Sequence, residues 1–183
     1  MARNTEIKAR CDDLALARQR ACALTGKTAE LILQDDTFFA GASGRLKLRV
    51  LGDGSGQLIH YHRADEAGPR TSDYVIAPCA RPDAMREALA RAYGVIGRVR
   101  KRRWLVMSGR TRIHLDQVEG LGGFIELEVV LAEGEPDEGG TAEAQALIEA
   151  LGIAPGDLVT GAYLDLLGAP AADESGAASP AAG

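Results

Sequence analysis

The chain has 183 residues, 46% of them hydrophobic and 26% charged, which fits one compact domain and excludes a coiled coil, a repeat array and a disordered chain. A net charge of −5 argues against attachment to long nucleic acids, no run reaches the roughly 20 apolar residues of a membrane span, and the polar opening MARNTEIKAR lacks a signal peptide's apolar core. A cytoplasmic protein without a nucleic-acid or membrane partner is therefore expected, and Cys11, Cys22 and Cys79, which lack zinc-site spacing, are expected to be reduced thiols.

In chain order, period-two alternation predicts a first strand over Asn4 to Arg10. Asp12 and Asp13 then start a helix to Leu24, with Leu14, Ala17, Ala21 and Leu24 at helical spacing. Strands follow at Leu33 to Phe39, Arg45 to Leu51, Gln57 to Arg63 and Ser72 to Pro78, the middle two joined by the turn-forming GDGSG. Pro82 opens a second helix to Tyr93 at a position where its missing N–H costs nothing. Three more strands, Arg98 to Met107, Thr111 to Val118 and Gly123 to Ala132, are linked by Ser108-Gly109 and by GLGG. Helical or near-helical spacing returns over Thr141 to Leu151 and Pro155 to Leu167. From Gly168 to the end, Ala, Gly, Ser and Pro dominate, so a single domain over residues 1–167 and a disordered tail over 168–183 are expected. Eight strands with mostly short links predict an α+β fold: an antiparallel barrel with helices packed outside.

Dividing the strands by parity separates charge from grease. Glu6, Lys8 and Arg10 share a face opposite Thr5, Ile7 and Ala9, and Arg45, Lys47 and Arg49 oppose Leu46, Leu48 and Val50. Lys101 and Arg103 share a side of their strand; Arg112, His114 and Asp116 oppose Ile113 and Leu115; Glu126 and Glu128 oppose Ile125, Leu127 and Val129. On one strand such a face is ordinarily the solvated side. On five strands of a barrel, charges turned outward would leave the amphipathic helices nothing apolar to cover. The inverse arrangement puts apolar faces under the helices and lines a tunnel with cations for a polyanion and carboxylates for its metal ions. Only four of the 21 basic residues are lysines; the rest are arginines, whose planar fork suits bidentate phosphate contact, and their placement matters more than their number.

Taken together, NTEIKAR at Asn4 to Arg10, LQDDTFF at Leu33 to Phe39, RLKLR at Arg45 to Arg49, RKRRW at Arg100 to Trp104 and IHLDQVEGLGGFIELEVVL at Ile113 to Leu131 resemble the CYTH superfamily of class IV adenylate cyclases and thiamine triphosphatases. The likeness runs over about residues 3 to 165, and EIKA with QxDTxF is closer to the cyclase-type bacterial branch. The resemblance implies an eight-stranded tunnel that binds a triphosphate with Mg²⁺ or Mn²⁺. By motif position it makes Glu6 and Lys8 catalytic, Lys8 also touching phosphate, and assigns Lys47, Arg49, Lys101, Arg103 and Arg112 to phosphate, with Arg63 or Arg70 completing the ring. Glu6, Glu126 and Glu128 become metal ligands, with Asp116 favoured over Glu119 as a further one. Asn4 stands where the family's ExExK signature has its first acid; its amide oxygen still suits a hard cation but adds no charge.

The reaction implied is that of a class IV adenylate cyclase, in which the ribose 3′-hydroxyl of ATP attacks the α-phosphorus to give cyclic AMP and pyrophosphate. Attack of water on the terminal phosphorus would make the chain a triphosphatase of inorganic or organic substrates, and the loss of an acid at Asn4 would suit a non-catalytic triphosphate-binding protein. Phe38, Phe39 and Tyr61 are candidates for a base-stacking surface. His114, beside Arg112 and Asp116, is a secondary candidate for phosphate or a metal-bound water. His60 and His62 read as an exposed outer pair, and Gly26-Lys27-Thr28 as a helix end, since Ala21 stands where a P-loop needs glycine. An outward Trp104, or a sheet face that the helices leave bare, would suit a homodimer.

Overall fold

Alternation along each strand sends charged and apolar side chains to opposite sides of the sheet. In the computed structural model that sheet closes on itself. The structure describes residues 2–63 and 70–168, with the backbone alone at positions 2, 63 and 70; the expected tail, from 169 onward, lies outside the described residues. The strands are β1 (Ala2–Arg10), β2 (Glu30–Phe39), β3 (Arg45–Leu51), β4 (Gly56–Arg63), β5 (Arg70–Cys79), β6 (Val95–Ser108), β7 (Thr111–Val118) and β8 (Gly122–Leu131). Their order round the barrel is β1-β5-β4-β3-β2-β6-β7-β8, with every neighbour antiparallel. Closure removes the two open edges that a flat sheet of this size would present.

The apolar faces point outward and are covered unevenly. Helices α1 (Leu14–Thr25) and α3 (Asp137–Leu151) lie over β1, β7 and β8, where Ile7, Ile113, Leu115 and Leu127 pack against Ala17, Ala21, Leu147 and Ile148. The Asp13 side chain accepts from the Leu16 backbone N–H at 2.9 Å to start α1, and Gly26, at φ 66°, ends it in a left-handed turn as the sequence suggests. Helix α2 (Pro82–Tyr93) covers Phe39, Leu48 and Cys79 with Met85 and Leu89. Gly123 permits the tightest approach at the start of β8: a Cβ there would meet the Cys11 carbonyl oxygen at 2.2 Å. Among the described residues no helix is long and apolar enough to cross a membrane.

One expected helix is broken. Over Pro155 to Leu167 the chain makes a 3₁₀ turn (Pro155–Asp157), runs extended so that the Val159 N–H donates to the Lys8 carbonyl at 2.9 Å, and turns at Gly161 (φ 83°) into the short helix α4 (Tyr163–Gly168). Glycines at 156 and 161 and β-branched Val159 and Thr160 weaken the helix, and pairing with β1 gives the backbone other partners. The result places α4 across one end of the barrel, where Tyr163 packs with Phe38, Val99, Val118 and Phe124.

Candidate functional site

The register of the barrel decides which charges meet. Glu6 faces Glu128 and Lys8 faces Glu126 across β1 and β8; Arg112 faces Glu128 and His114 faces Glu126 across β7 and β8; Arg103 faces Asp116, and Arg49 faces Asp36. All but Asp116 line one internal cavity of about 280 Å³, close to the lower edge of the size range for small-molecule sites, about 300 Å³. Asn4, Lys47, Lys101 and Tyr163 line it too.

Two buried carboxylates organise the cations. Asp116 is fully buried: its Oδ1 accepts from Arg103 Nε at 2.7 Å, and its Oδ2 from Arg103 Nη2 at 2.6 Å, Lys101 Nζ at 2.9 Å and the Tyr163 hydroxyl at 3.0 Å. Burial alone would raise its carboxyl, but Arg103 and Lys101 outweigh that and hold it well below the usual carboxylate range. Asp36 does the same two strands away, on β2, accepting from Arg49 Nε at 2.7 Å and Nη2 at 2.8 Å and from Lys47 Nζ at 2.8 Å. Its carboxyl is likewise held far down against the effect of burial, by Arg49 and Lys47. Burial and Arg49 push the Lys47 ammonium down to about 8 despite its contact with Asp36. An uncompensated charge here would be costly, so these pairs allow a cation ring to stand inside the barrel.

The acid pair stands on β8, flanked by β7 and β1. Lys8 Nζ pairs with Glu126 at 3.0 Å, donates to the Gly161 carbonyl at 3.2 Å and stands 4.0 Å from the centre of the Tyr163 ring. Glu126 also accepts from Arg103, while Glu128 pairs with Arg112 at 3.3 Å. Burial raises the Glu126 carboxyl, and Lys8, Lys101 and Arg103 reverse that, leaving it ionised at neutral pH. Burial and Arg103 push His114 down to about 4, so its ring is neutral there. One ligand atom each from His114, Glu126 and Glu128 lies within 4.8 Å of the others. Three buried polar atoms of the residues that line the cavity, Asn4 Oδ1, Gln34 Oε1 and His114 Nδ1, have no hydrogen-bond partner among the described residues. Vacant oxygen and nitrogen donors next to carboxylates suit a divalent cation.

The opposite wall carries no described charge: β4 and β5 contribute Ile59, Tyr61, Ser72, Tyr74 and Ile76. Lys47 Nζ, at the border, lies 5.5 Å from the ring centres of both Phe38 and Tyr61. Of the expected site residues, the structure thus brings together Asn4, Glu6, Lys8, Lys47, Arg49, Lys101, Arg103, Arg112, His114, Glu126 and Glu128. Asp116 shares Arg103 Nη2 with Glu126 but does not line the cavity, and its oxygens are occupied by cations and a tyrosine. The side chains of Arg63 and Arg70 lie outside the described residues. Arg10 and Arg45 share strand parity with the tunnel set but sit at one end of it, Arg10 over Phe124 and Arg45 paired with Asp165 at 2.8 Å. Phe39 is not a stacking surface: it points outward into the core under α2, because it has the opposite parity to Phe38. Asp36, Tyr74 and Tyr163 escaped the sequence reading. The parity of Asp36 with Gln34 and Phe38 could have found it, whereas Tyr163 arrives through the broken helix, which no local pattern announces.

Residues 2–163 match the family model of the CYTH domain. The chain belongs to the CYTH family. Solved CYTH-like structures share its fold at low identity: the PH1012 protein of Pyrococcus horikoshii, at 22% identity, superposes with a TM-score of 0.79 over 90% of this chain and 99% of that one. A protein of Vibrio parahaemolyticus provisionally named an adenylate cyclase gives 0.73 at 19% identity over 91% and 98%. One of Hippeastrum, provisionally named an adenylyl cyclase and described as having a dominant triphosphatase activity, gives 0.64 at 14% over 91% and 95%. No curated protein matches the chain significantly. Members of the CYTH family are cyclases or triphosphatases, generally metal-dependent, and bind triphosphates, so membership supports an enzyme.

Proposed function

We propose that this CYTH protein is a metal-dependent enzyme acting on a nucleoside triphosphate, and that it converts ATP to cyclic AMP and pyrophosphate. The observation that carries the reading is the two-sided cavity, with cations and acids on β1, β2, β3, β6, β7 and β8 and an uncharged, aromatic wall on β4 and β5. An inorganic triphosphate would need only the first wall. A nucleobase gives the second a use, stacked against Tyr61, Tyr74 or Phe38.

In this reading Arg49, Lys101, Arg103 and Arg112 hold the non-bridging oxygens and offset charge that grows on the leaving pyrophosphate. Because Asp36 and Asp116 already fix the forks, the donors need little rearrangement as that charge develops. Glu6, Glu126 and Glu128, with the Asn4 amide oxygen, are the groups that would hold Mg²⁺ or Mn²⁺, which supplies Lewis-acid polarisation of phosphate oxygens. Lys8 sits where it can give up its Glu126 contact to a phosphate oxygen and position the attacking hydroxyl.

Hydrolysis at the terminal phosphate is a second reading, favoured by Asn4: with one carboxylate fewer, the site has less charge with which to activate a ribose hydroxyl. Incubation with ATP and Mn²⁺, with product chromatography, tests both. Cyclic AMP with pyrophosphate is the expected outcome; orthophosphate from ATP or tripolyphosphate establishes the second reading instead, and tight binding without product excludes an enzyme.

A further inference from the structure

We propose that His114, Glu126 and Glu128 form a cation site of mixed nitrogen and oxygen donors, which selects a first-row transition ion such as Mn²⁺ over Mg²⁺. The inference rests on the metal dependence proposed above and goes beyond it by naming an imidazole ligand and the ion class it favours. The three side chains come from adjoining strands: His114 faces Glu126 across the β7–β8 ladder, and Glu128 follows on the same face of β8. One ligand atom of each lies within 4.8 Å of the others. Donors about 2.1 Å from a shared ion lie about 3 to 4 Å from each other, so side-chain rotations of about 1 Å or less bring the set into coordination.

The nitrogen is what points to a ligand. His114 is 4% exposed, and its Nδ1 has no hydrogen-bond partner among the described residues. The nearest carboxylate oxygen, on Glu128, is 3.6 Å away, beyond hydrogen-bonding reach. Buried polar atoms are nearly always satisfied, and this one lies beside two carboxylates in a cavity wall. Asn4 Oδ1, on the strand that pairs with β8 from the other side, is a further buried acceptor without a partner among the described residues. An ion between these groups accounts for both. Mg²⁺ is a hard ion that keeps to oxygen and to near-ideal octahedral geometry, whereas imidazole suits first-row transition ions. Replacing an acid with Asn4 while presenting His114 lowers the charge of the site and softens its donor set.

The chain has three histidines, so a His60→Ala/His62→Ala variant leaves His114 as the sole imidazole. In that variant, electron spin-echo modulation of added Mn²⁺ is expected to show coupling to imidazole nitrogen. A further His114→Ala change is expected to remove the coupling and weaken Mn²⁺ binding at least tenfold, while Mg²⁺ binding moves less than twofold; the cooperative thermal transition of each variant checks its fold. Bound Mn²⁺ without nitrogen coupling, or no Mn²⁺ binding, overturns the proposal. Calorimetry with tripolyphosphate separates this from the functional reading. Triphosphate binding alongside Mn²⁺ that lacks nitrogen coupling defeats only the imidazole ligand, and nitrogen-coupled Mn²⁺ in a chain that neither binds nor turns over triphosphate defeats only the enzymatic reading.

Discussion

Glu126 is held by Lys8 and Arg103, and its charge answers theirs. Under the proposed function Glu126→Gln keeps the shape but removes that charge from the metal set. Metal-dependent turnover at limiting Mn²⁺ is expected to fall at least tenfold, a loss of about 1.4 kcal/mol of transition-state stabilisation; unchanged kinetics would remove Glu126 from the site. Lys47 carries a pH dependence. Its ammonium is pushed down to about 8 from an ordinary 10.5. It is charged at pH 7 and loses that charge on the way to pH 9 in the folded state, while an unfolded lysine would keep it. Metal-free tripolyphosphate affinity is therefore expected to drop between pH 7 and 9, and Lys47→Arg to flatten that limb, since guanidinium stays charged. Calorimetry at several pH values checks this. Both residues were legible from strand parity; the perturbation of Lys47 was not, because it comes from burial in a closed barrel and from Arg49.

At the scale of elements, α4 matters more than its six residues suggest. Through Tyr163 it places a hydroxyl on Asp116 and a ring 4.0 Å from Lys8 Nζ and 4.8 Å from Lys101 Nζ, so one aromatic side chain touches three charged groups of the site. Tyr163→Phe keeps the ring and deletes a hydrogen bond to an ionised carboxylate, which costs about 1.5 to 3 kcal/mol in general. Asp116 retains its three contacts with Arg103 and Lys101, so the lower end is expected, read as a fall in the denaturant midpoint at constant slope. The strands were readable because period-two alternation is local and strong, and Arg45–Leu51 and Thr111–Val118 fall where alternation puts them. The stretch after Pro155 was not readable: apolar residues at helical spacing there met glycines and a strand edge that offered better backbone partners.

For the whole molecule, polarity turned inside out sets the response to acid. Asp36, Asp116 and Glu126 have folded carboxyls held below their ordinary 3.8 to 4.5, so their contribution is present above that range and is lost as pH falls through the folded values. His114 acts earlier: with a folded value of about 4 against an ordinary 6.5, the unfolded chain binds the extra proton between those limits, and stability falls as pH drops across that window. Urea midpoints are expected to decline from pH 6.5 to 4.5, and His114→Gln to shrink that decline while sparing the steeper loss below pH 4. By itself the sequence determined the strands, their charged faces and the barrel, because alternation and turn residues are encoded within a few positions of each other. Register across strands distant in the chain is set only when the barrel closes. The tertiary structure alone therefore decided that Asp36 and Asp116 anchor the cations and that Tyr163 closes one end.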